Sequence, residues 1–178
     1  MDGLPADLAW VYPYTEYARA ADDPLEHPQL RPVVAVDLGS RFTGQRYLGL
    51  VDSGADAVLA PRWVADEIGV ALSGPATHHR MGGHRLETRF AHVRLRLWSP
   101  EVALQSDAES AASAPLEWEA QVGFYTGWDD PPWVLVLGQC GFFDHFTVIL
   151  NRLSAALAIR PVEHFDENYP AAAVAPRR

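Results

Sequence analysis

The sequence predicts a mainly β domain: a small closed or partly open β-barrel with one or two short helices. Runs of about five to ten residues recur with β-branched content or strict apolar/polar alternation, the signature of half-buried strands. Glycine and proline turns separate these runs at regular spacing. Clear helix signals gather in one stretch, PRWVADEIG at 61–69. The 178 residues suit one domain with short appendages. We divide the chain into an N-terminal arm (1–31), the barrel domain (32–160) and a C-terminal tail (161–178). With 48% hydrophobic residues the domain has enough apolar surface for a core. A chain of this size buries roughly 70% of its unfolded surface.

The arm carries Trp10, Tyr12, Tyr14 and Tyr17 among prolines and acids, and reads as irregular chain that packs through its aromatics. PVVAVDL (32–38) has the β-branched content of a strand, Gly39 to Gly44 supply a turn, and QRYLGLV (45–51) is the returning strand. In the next stretch Pro61 suits the first helical turn and Gly69 its end, which leaves a helix of about two turns. Residues 76–98 read as a hairpin turning at Gly82-Gly83. In its second half Val93, Leu95 and Leu97 face one way, with Arg94 and Arg96 between them. Residues 99–116, poor in aromatics and rich in Ala and Ser, read as a flexible surface insertion. EWEAQVGFY (117–125) alternates as a strand, WDDPP is a turn, and WVLVLG (133–138) is a continuous apolar strand stopped by glycine. A short turn-like helix and a last strand pair follow, and the Pro-, Ala- and Arg-rich tail is expected to fray.

Charge and composition narrow the function. A net charge of −9 argues against duplex nucleic acid as a partner, since that requires a basic face. No apolar run reaches the roughly 18 residues of a membrane span. The acidic start MDGLPADLAW lacks the basic and apolar regions of a secretion signal. The single cysteine, Cys140, cannot form an internal disulfide. Together these point to a cytoplasmic protein.

Two segments carry chemistry. In Leu50-Val51-Asp52-Ser53-Gly54-Ala55 an apolar strand runs into a carboxylate; in Val134-Leu135-Val136-Leu137-Gly138 an apolar strand ends at glycine. Taken alone, Asp-Ser-Gly also suits an ordinary turn whose carboxylate caps backbone amides. As a pair, in this order and with a glycine hairpin between them, the segments resemble the retropepsin-like aspartic proteases, most closely bacterial members, over about residues 32–160. The resemblance implies that Asp52 is catalytic, that Ser53 and Gly54 support the catalytic pair, and that Leu137 and Gly138 close the site from behind. It places Ala55, Asp56 and a flap formed by Met81, Gly82 and Gly83 against substrate. The chemistry needs two carboxylates sharing one proton, one as base for water and the other as acid. The chain holds a single Asp-Ser-Gly, so the second carboxylate has to be Asp52 of another copy in a symmetric homodimer. The implied function is an aspartic endopeptidase acting on extended peptides, without cofactor or metal. The alternatives are a non-catalytic peptide- or protein-binding domain of the same fold, and a subunit docked into a larger assembly through its arm.

One residue departs from the family pattern. Gln139 stands where many retropepsins carry an arginine paired with the acid at Asp56. Elsewhere the bland readings lead. His78, His79 and His84 lack cysteines and an acidic fourth ligand for zinc. Cys140 reads as a small buried residue, and Phe142, Phe143 and Phe146 as core. Trp128 and Trp133 suit a packed turn better than a substrate-lining loop, and Arg94 and Arg96 suit a solvated face.

Overall fold

Alternation along the long strands decides the architecture. A computed structural model describes residues 10–17, 29–39, 46–81, 83–100, 114–128 and 133–162. Outside these lie most of the 39–44 turn, most of the 99–116 insertion, four residues of WDDPP, Gly82 and nearly all of the 161–178 tail.

The chain opens with β1 (Trp10–Pro13), β2 (Thr15–Tyr17) and β3 (Gln29–Arg31). Residues 10–17 are therefore extended and paired, not irregular. Their Tyr and Pro content has no period-2 pattern, and tertiary partners set the conformation instead. Tyr12 is 3% exposed, and its hydroxyl donates to the Trp98 carbonyl at 2.6 Å. Next come β4 (Val33–Leu38) and β5 (Tyr47–Val51), an antiparallel pair as the sequence predicts. β6 (Val58–Pro61) leads into α1 (Arg62–Glu67), which buries Val64 and Ala65. Gly69 ends the helix at φ 70°, a conformation that favours glycine.

β7 (Thr77–Met81) and β8 (His84–Leu97) form the expected hairpin, with Gly83 at φ 84° in its turn. Along β8, Val93, Leu95 and Leu97 are buried and Arg94 points outward. Outside, Arg96 donates to Glu117 at 2.6 Å. β9 (Leu116–Thr126) pairs with β8 over eleven register positions. β10 (Leu135–Leu137) is shorter than the apolar run that encodes it. The following turn at 141–145 is not a regular helix, and β11 (Phe146–Asn151) and β12 (Ala156–Pro161) finish the fold.

Six strands close into a mixed barrel in the order β4-β5-β10-β6-β9-β8, with β8 returning to β4. β10 runs parallel to β5, and β6 parallel to β9. The interior holds Val36, Leu95, Leu97, Val122, Leu135 and Leu137, all inaccessible to solvent. Phe142 and Phe146 pack against Trp118 at one end, and Phe143 joins the margin of the core. A second sheet, β1-β12-β11, lies alongside. No described helix is long and apolar enough to cross a membrane.

Candidate active site

β10 lies between β5 and β6 and thereby builds the site. Its parallel register sets Leu137 beside Val51, so Asp52 and Gly138 leave their strands side by side. The Asp52 amide donates to the Leu137 carbonyl at 3.1 Å. The loop from Asp52 to Ala57 is then tied down along its length. Gln139 N donates to Ala55 O at 2.8 Å, Cys140 N to Asp56 O at 2.9 Å, and Val58 N to Cys140 O at 3.0 Å. A β-carbon at Gly138 would lie 2.6 Å from the Ala55 carbonyl oxygen and also strike the Ala57 carbonyl. Only glycine lets the two segments approach this closely.

Gln139 occupies the position where the family resemblance leads one to look for arginine. Its side-chain Nε2 donates to the Ser53 carbonyl at 2.7 Å. A neutral amide thus braces the loop through its backbone, and Asp56 is exposed, with no ion pair among the described residues. Cys140 is exposed, contrary to the expectation of a buried residue. Its backbone bonds on both sides fix the turn while the side chain faces out.

Asp52 is half-buried. Its Oδ1 accepts from the Gly54 amide at 2.9 Å, the capping contact of an Asx turn. That bond orients the carboxylate without consuming it, because an ionised carboxylate has about four acceptor sites. Asp52 opens on a cleft of about 450 Å³. Leu50, Val51 and Val136 contribute apolar wall, Arg31 a cation, and Tyr125, Trp128 and Trp133 an aromatic side. Met81, at the end of the hairpin strand, lines the same cleft. Trp128 and Trp133 therefore face the cleft and not merely a packed turn. The His84 ring stacks on Trp128 at 4.7 Å between centroids and 6° between planes, joining the hairpin to the aromatic side.

Of the residues singled out in the sequence, Asp52 and Met81 meet in the cleft, and Leu137 and Gly138 stand behind the Asp52 loop. Ser53, Gly54 and Asp56 are exposed and Ala55 is half-buried, on the loop beside the cleft. Gly83 is exposed at the hairpin turn. Tyr125 escaped the sequence analysis. Its hydroxyl is buried without a hydrogen-bond partner among the described residues, and burial pushes the phenol up to about 12. The signal was a break in period: along β9 alternation gives way to four consecutive buried residues, 122–125, so both faces are covered there. Among the described residues no group of three or more His, Cys, Asp or Glu side chains is arranged to hold a metal ion.

No protein-family model matches the chain, and no curated protein is significantly similar to it.

Proposed function

We propose that the protein is an aspartic endopeptidase of the retropepsin-like type, active as a homodimer that pairs two Asp52 carboxylates. The observation that carries this reading is the placement of Asp52. It follows directly on the buried Val51 at the end of β5, sits on a loop braced against Gly138, and faces a cleft with room for a substrate side chain. In the reaction one Asp52 is ionised and the other protonated. The ionised carboxylate takes a proton from water as the oxygen attacks the scissile carbonyl carbon. The protonated partner gives its proton to the carbonyl oxygen. Collapse of the gem-diol intermediate breaks the C–N bond: the nitrogen leaves as an amine after taking a proton from the first carboxyl, and one diol hydroxyl returns its proton to the second, which leaves a carboxylic acid product and a pair that again holds one proton. Like charges at short range make a shared proton the favoured state, and its titration belongs to the pair.

The test is cleavage of a diverse peptide library between pH 4 and 7 by wild type and Asp52→Asn, with the solution mass measured in parallel. Cuts made by a dimeric wild type and lost in the variant support the reading. Equal cuts by both would place the chemistry elsewhere. No cuts by a verified dimer would leave a peptide-binding domain, and the protease reading would fall.

A further inference from the structure

We infer that Tyr125 reads the substrate: the cleft beside Asp52 takes a large, mostly apolar side chain ending in a neutral hydrogen-bonding group, with tyrosine the best match. This inference rests on the peptidase reading and names its substrate class. Tyr125 is 2% exposed and lines the cleft with Asp52. Its hydroxyl lacks a partner among the described residues, while the ring packs with Leu59 and Leu86. A buried hydroxyl left unpaired costs stability that a partner restores. A ligand that brings one into the cleft gains what the free protein forgoes.

The surroundings set the chemistry of that partner. Met81, Trp128 and Val136 pack against the cluster that holds Tyr125 and also line the cleft. The cleft's own charges, Arg31 and Asp52, lie outside this apolar cluster, so a charged group set against Tyr125 itself would lose hydration with little return and a neutral one is favoured there. Trp128 and Trp133 favour an aromatic ring over an aliphatic chain of equal length. Met81 is unbranched and belongs to the hairpin end, so it can shift to admit the incoming group. Tyrosine meets all of these conditions, whereas phenylalanine fills the space and leaves the Tyr125 hydroxyl unpaired.

Binding can be separated from cleavage with Asp52→Asn, since asparagine keeps an oxygen to accept the Gly54 amide. A blocked alanine hexapeptide with one central tyrosine, and its phenylalanine counterpart, are titrated into this variant and followed by tryptophan fluorescence. We expect the tyrosine peptide to bind about 5- to 10-fold more tightly, as one added hydrogen bond gives. The preference should vanish in Asp52→Asn/Tyr125→Phe, whose thermal midpoint should not fall, because no bonded group is lost. Equal affinities, a preference that survives Tyr125→Phe, or no binding of either peptide would overturn the inference. Wild-type cleavage of the same two peptides separates the two ideas. Asp52-dependent cuts without tyrosine preference would sink the Tyr125 assignment alone. Tyrosine-selective binding without Asp52-dependent cuts would sink the peptidase reading alone.

Discussion

A methyl group at Gly138 has nowhere to go: backbone carbonyls of Ala55 and Ala57 occupy its space, and the loop they belong to carries Asp52. Backbone cannot swing aside as a flexible side chain can. Gly138→Ala should therefore destabilise the fold by about 2–3 kcal/mol, the upper part of the usual range for overpacking. A urea unfolding midpoint equal to wild type would refute this. At this scale the sequence was readable where a residue type is forced by geometry. Asp52 and Gly138 stood out because each interrupts an apolar run. Tyr125 did not, because an aromatic in an apolar stretch of strand looks like core until its hydroxyl is found unpaired. Cys140 misled for the opposite reason: its small apolar type suggests burial, but the backbone of its turn, not its side chain, is what the fold uses.

Strands with a clean period were legible as elements. β4, β5, β8 and β9 fall close to where β-branched content and alternation put them, and α1 lies between its proline and glycine signals. The run 133–138 yields only a three-residue strand, because Trp133 is spent on the cleft and Val134 bends. β1 was not legible, since a strand recruited by a distant partner needs no pattern of its own. It pairs with β12 from Trp10↔Ile159 to Pro13↔Ala156, and its anchor is Tyr12, buried in the main core. The anchor makes a graded prediction. Tyr12→Ala should cost about 3–5 kcal/mol, as large aromatic truncations do. Tyr12→Phe should cost about 1 kcal/mol, for the lost bond to the Trp98 carbonyl. If thermal or denaturant unfolding finds both substitutions near-neutral, β1 is only loosely attached to the domain.

The barrel as a whole closes where β4 meets β8, and that seam holds a buried carboxylate. Asp37 is 1% exposed and sits opposite Arg96 in the register. Its Oδ2 accepts from the Trp98 indole at 2.8 Å, while Oδ1 is buried without a partner among the described residues. Arg46 and Arg96 lie over the Trp98 ring at 5.0 and 5.4 Å from its centroid. Burial raises the Asp37 carboxyl above its ordinary value, against the opposing pull of the Trp98 hydrogen bond and of the two guanidinium groups. In the unfolded chain this carboxyl loses its proton near pH 4. Between that pH and the raised folded value, the native state binds more protons than the unfolded one. Stability from this group is therefore complete in acid and lost as pH rises through the folded value. Asp37→Asn keeps an acceptor for the indole and removes the titration. Its stability relative to wild type, followed from about pH 4 to 7, should rise above pH 4 and level off once the wild-type seam has acquired its buried charge. Paired thermal melts across that range decide the matter: a pH-independent difference would mean that Asp37 ionises in the closed barrel as it does in the open chain.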